Sequence, residues 1–162
     1  MTTQNSKQSR KAADSGVLSF DGRIVSYTSQ HYGSFSLPLA EVGVIGEFTT
    51  DNGPFIDDWF LVFVPRDGRD FFEASMDAEH SNEVRMQLAG ALGGELSTNL
   101  VFSTDFRSRV LWPPALVGKP LYTFADELSE ATGFWERLRL RFSQRVIHRL
   151  SQDVLHYLTH VA

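Results

Sequence analysis

A chain of 162 residues that is 42% hydrophobic, 12% aromatic and 22% charged folds as one domain with at most an appendage, since disordered sequences lack the apolar side chains a core requires. It contains no cysteine, which excludes disulfides, thiolate catalysis and cysteine-ligated zinc or iron–sulfur clusters and fits a reducing, cytoplasmic setting. The net charge of -5 is unevenly spread: residues 16–126 carry seven basic against fifteen acidic side chains, while 1–15 and 127–162 are each slightly basic. An acidic body argues against nucleic-acid binding, which rests on clustered Lys and Arg.

Residues 1–15, MTTQNSKQSRKAADS, are polar and lack the apolar stretch of a secretory signal, so they read as a disordered arm. From Gly16 the chain reads as short strands separated by turns. Asp21-Gly22, Asn52-Gly53 and Asp67-Gly68 are pairs that accept the positive φ values of a type I′ hairpin turn, so three hairpins are expected. Around the first, Leu18, Phe20, Val25 and Tyr27 are the candidate core face. Strands follow near Ser34–Leu37 and Val42–Thr49, and Gly43 and Gly46 point to a bulge or tight curl in the second. The run Trp59–Val64 is too short to cross a membrane. Six consecutive apolar residues cannot share one face, so this strand is central and covered on both sides. RDFFEASM supplies its partner. Val84, Leu88, Ala91 and Leu92 then fall at helical spacing, and Gly93-Gly94 stops the helix.

The order GVLSFDGRIVSY, FSLPLAEVGVIGEF, WFLVFVPRDGRDFFEAS and an amphipathic helix resembles bacterial PH-like (pleckstrin-homology-like) domains over residues 16–93. The resemblance implies a curled antiparallel barrel capped by a helix, which binds phosphoinositides, peptides or partner proteins and performs no chemistry. Lipid-binding members carry a basic cluster near the first hairpin. Here that hairpin offers only Arg23 beside Asp21, so lipid recognition does not carry over.

Residues 95–124 are too apolar for a tether and are expected to pack on the domain, with Arg107 and Arg109 on one side of an edge strand. Pro113-Pro114 ends any regular element there. No Walker or dinucleotide loop, GxSxG elbow or HExxH occurs. His156 and His160 share a helical face with Asp153, but the reading for these histidines is solvent exposure, and no metal or cofactor is expected.

From Asp126 to Val161 the apolar spacing is helical. Leu138, Phe142, Val146, Leu150, Val154 and Leu158 recur every four residues as one ridge, and Arg137, Arg141, Arg145 and Arg149 run beside it as a basic flank. Burying a large apolar side chain is worth about 1.5–3 kcal/mol, so the ridge must be covered. Its own domain or a second copy comes first, another protein second, and an anionic membrane surface last. The sequence thus predicts an α+β protein in three parts: an arm (1–15), a curled antiparallel sheet or partly open PH-like roll followed by a helix (16–125), and a long amphipathic helix (126–162). The expected function is a non-enzymatic cytoplasmic binding or adaptor module, homodimeric through that helix or binding a protein partner, with the ten ridge and flank residues as its interface. The rival is a small acidic inhibitor or immunity-type protein that neutralises a basic partner through Asp57, Asp58, Asp67 and Asp70. An enzyme of unrecognised class comes third.

Overall fold

The computed structural model describes residues 15–51, 57–103, 105–126 and 146–160. The arm up to residue 14, the Asn52-Gly53 pair and most of the arginine-rich segment lie outside the described residues. Strands β1 (Val17–Phe20), β2 (Ile24–Ser29) and β3 (Gly33–Pro38) form an antiparallel meander. Its period of two buries Leu18, Val25, Tyr27 and Leu37, with Phe20 and Phe35 packed beside them. The first turn departs from type I′, which requires two successive positive φ values. Only Gly22 has one, at +93°. The Asp21 carboxylate instead accepts the backbone N–H groups of Arg23 (2.8 Å) and Ile24 (2.7 Å), the local cap that makes Asp a turn residue. Ser15 is not part of a loose arm: its Oγ donates to buried Asp57 and its carbonyl accepts from Tyr27 Oη.

A 3-10 turn, Leu39–Glu41, leads into a second antiparallel sheet made of β4 (Val42–Thr49), β5 (Trp59–Pro65), β6 (Phe72–Ser75) and β7 (Arg107–Trp112), in the order β6-β5-β4-β7. Phe63 pairs with Phe72, so the β5–β6 connection is longer than the two-residue turn expected at Asp67-Gly68. There only Gly68 takes positive φ. As six successive apolar residues demand, β5 is covered on both faces. Leu61 and Phe63 enter one core; Phe60, Val62 and Val64 enter the other. The register shifts between Val42 and Val44 on one side of β4 and between Ile45 and Gly46 on the other, where the sequence placed its bulge. A side chain at Gly46 would collide with Leu121 and come within 2.8 Å of the Arg109 carbonyl oxygen, so close backbone approach excludes any Cβ there.

Helix α1 (Ser81–Ala91) buries Val84 and Leu88 in the first core, while Ala91 is exposed and Leu92 half-buried. It ends in a Schellman motif: Gly94 N–H reaches the Ala89 carbonyl, Gly93 N–H reaches Gly90, and Gly93 has φ +68°.

The long C-terminal helix does not form in the described part of the chain. Instead β8 (Tyr122–Asp126) pairs antiparallel with β9 (Val146–Leu150), and α2 spans only Gln152–His160, nine residues. A spacing of four fits the strand period of two as well as the helical 3.6, so the ridge could not discriminate between them. Adjacent β-branched Val146 and Ile147 favour the strand, and Ser151 restarts the chain as a helix by accepting the Val154 N–H (3.4 Å). The result is an α+β fold of antiparallel sheets, with the single curled sheet of the sequence reading divided in two. The four-stranded sheet lies between two cores. One is closed by β1–β3 and α1, the other by β8, β9 and α2.

Candidate functional site

Where β3 hands over to β4, four other parts of the chain converge. The first turn contributes Asp21, Gly22 and Arg23, the β5–β6 turn contributes Arg66, and Leu92 and Trp112 come from the ends of α1 and β7. Together with Ile24, Pro38, Leu39 and Ala40 they line a groove of about 770 Å³, within the range of small-molecule sites.

Backbone bonds set its shape. Leu39 N–H donates to the Arg23 carbonyl (2.8 Å) and Arg66 N–H to the Glu41 carbonyl (2.8 Å), so both arginines are tied to the 3-10 turn through their main chains. Arg66 Nε also donates to the Ala40 carbonyl (2.9 Å), which orients its guanidinium and leaves the Nη edge for another acceptor. No carboxylate among the described residues lies within ion-pair distance of Arg23 or Arg66. Asp21 is near enough for the Arg23 charge to act on it, but its pKa is held below the ordinary value chiefly by the Ile24 and Arg23 N–H groups it accepts. Charge and apolar surface therefore share one groove: two arginines beside Ile24, Leu39, Leu92 and Trp112.

The residues singled out from sequence lie elsewhere. Arg137, Leu138, Arg141, Phe142 and Arg145 are outside the described residues. Val146 starts β9, paired with Asp126. Arg149 is exposed on β9, and Leu150, Val154 and Leu158 are buried in the second core. That part of the ridge is thus covered by its own domain and is not presented to a second chain. Of the acidic set, Asp57 is buried, accepting from Ser15 Oγ (3.0 Å) and Ser75 Oγ (2.5 Å), whereas Asp67 and Asp70 are exposed. His156 and His160 are exposed with their rings stacked on α2, and Asp153 pairs with Lys119. Among the described residues no group of three or more metal-ligating side chains is assembled, and no helix is long and apolar enough to cross a membrane.

Two carboxylates escaped the sequence reading. Glu47 is wholly buried and accepts from Asn99 N–H (2.8 Å), Leu100 N–H (3.3 Å) and Trp59 Nε1 (3.0 Å). It fastens the segment between α1 and β7 to the sheet. Glu73 Oε1 accepts from Tyr122 Oη (2.9 Å) and meets His148 Nε2 (3.0 Å). Phe48 and Phe71 pack against the Tyr122 and His148 rings. Burial, reinforced by the Glu73 charge, drives the Tyr122 pKa far up. A phenol that stays protonated beside a carboxylate packed among rings is a structural pin rather than a nucleophile. The signal for Glu47 was in the sequence, as a charged residue mid-strand between Ile45 and Thr49. Glu73, Tyr122 and His148 are joined only by the fold.

Compared with models of known families, with characterised proteins and with solved structures, the chain matches none.

Proposed function

We propose that this protein is a non-enzymatic binding module that takes its ligand in the groove between the first turn, the 3-10 turn and the β5–β6 turn. The observation that carries the reading is the pair of arginines, Arg23 and Arg66, tied to the 3-10 turn and facing an apolar groove. The proposed module is a PH-like, partly open roll. Its support is that six strands precede α1 and that Glu79 makes a parallel bridge to Val17, bringing the chain after β6 to the edge of β1. A protein partner held through the arginine-flanked segment 134–145, outside the described residues, belongs to the same proposal.

The test is a ¹⁵N-resolved NMR titration against a small-molecule library. Shifts gathered on Arg23, Ile24, Leu39, Arg66, Leu92 and Trp112, with every hit recovered chemically unchanged, support the reading. Hits that map away from these residues, or are converted to product, overturn it.

A further inference from the structure

The groove is more specific than a binding reading alone requires. In a body where acidic side chains outnumber basic ones about two to one, its lining holds two arginines and one carboxylate. That carboxylate, Asp21, already accepts two backbone N–H groups. Arg66 is oriented before any ligand arrives, by its Nε bond to Ala40 and its N–H bond to Glu41, and a pre-set guanidinium fork matches the paired oxygens of a carboxylate or phosphate. A bare inorganic anion would leave most of a 770 Å³ groove filled with water against Ile24, Leu39, Leu92 and Trp112. A neutral apolar ligand would leave the Arg66 Nη edge to water and make no use of its orientation. A polyanion such as nucleic acid needs many more phosphate contacts than two arginines supply.

Building on the binding-groove reading, we infer that the ligand is a small organic anion with an apolar body, its carboxylate or phosphate oxygens on Arg66 and Arg23 and its body against Leu39, Leu92 and Trp112. Recognition is bipartite: the head fixes orientation and sign, and the body supplies buried apolar area. Because both arginines are exposed, the head contribution weakens as salt rises.

The experiment is calorimetric and NMR titration of the full chain with four probes: octyl phosphate, octanoate, 1-octanol and inorganic phosphate. One octyl anion should bind per chain, with 1-octanol and inorganic phosphate each at least roughly ten-fold weaker, the scale of one charge-assisted hydrogen-bonding group. Arg66→Gln and Arg23→Gln should each cost octyl phosphate roughly ten-fold in affinity, and Arg66→Lys should recover only part of that loss because it keeps the charge without the fork. Circular dichroism on each variant checks that it is folded. Comparing octyl phosphate with octanoate separates a phosphate from a carboxylate head. Binding of 1-octanol in the groove as tightly as octyl phosphate, or indifference to both Gln variants, overturns the anionic ligand while the groove reading stands. If no probe shifts the groove resonances, both fall.

Discussion

On the face of the central sheet that meets β1–β3 and α1, Glu47 is wholly buried, and two of its three partners are backbone amides. On the opposite face, Glu73 stays partly exposed, and the two partners of its Oε1 are the side chains Tyr122 and His148. The difference lies in what can let go. Backbone donors move only if the segment at Asn99-Leu100 moves, so Glu47 fixes main chain. Side-chain partners are replaceable one at a time, so Glu73 makes a pin that a single substitution withdraws. The same sheet thus carries one core built by consecutive strands and another closed by distant parts of the chain.

The largest test of this contrast is Phe63→Ala, in the core shared by both sheets. It removes a fully buried ring and should cost about 3–5 kcal/mol in urea unfolding, shifting the transition of the whole chain. Loss confined to β1–β3 would mean that the two cores unfold independently.

Glu47→Ala should cost about 1–3 kcal/mol, because it removes a charged, buried acceptor shared by three part-buried donors. Its signature in amide exchange is local, with the Asn99 and Leu100 amides losing protection before those of β8 and β9. Equal loss in both places would break the contrast between the two carboxylates.

Tyr122→Phe should cost about 1 kcal/mol at neutral pH through the lost bond to Glu73. The effect reverses at high pH. The folded Tyr122 pKa is raised by burial and the Glu73 charge, so its stabilisation is fully present below the unfolded value of about 10 and is lost as pH rises above it. The Phe variant should therefore lose less stability than the parent between pH 9 and pH 11, windows chosen on either side of about 10. Parallel curves would show that Tyr122 ionises freely in the fold.

The smallest effect is expected from Asp21→Ala at the groove. The folded pKa of Asp21 is lowered, so its contribution to the first turn is present above the ordinary carboxylate value of about 4 and disappears as pH falls through the lowered value. Parent and variant should differ slightly in thermal midpoint at neutral pH and converge in acid. A difference that persists in acid would locate the effect in the backbone of the turn.

Sequence patterning was most informative where contacts are local. Alternation in β1 and β2, the unbroken apolar run of β5, and the Gly93-Gly94 stop of α1 each follow from neighbours in the chain. Turn types were less legible, because Asp21-Gly22 and Asp67-Gly68 are compatible with several geometries and strand register decides among them. The C-terminal segment was misread for a definite reason: Val146, Leu150, Val154 and Leu158 keep a spacing of four through a strand, a Ser151 cap and a short helix. Nothing local indicated that Tyr122–Asp126 would offer β9 a partner. Arg66 in the groove was equally hidden, since 43 positions separate it from Arg23 in a chain of 162 residues.

By itself the sequence determined that the chain folds without disulfides around antiparallel hairpins and a capped helix, because side-chain period and turn residues act over a few positions. Tertiary structure alone decided which carboxylates are buried, that the end of the ridge packs into its own domain, and that two distant arginines share one groove. Those outcomes depend on register and on chain segments meeting across a sheet, and no local period encodes either.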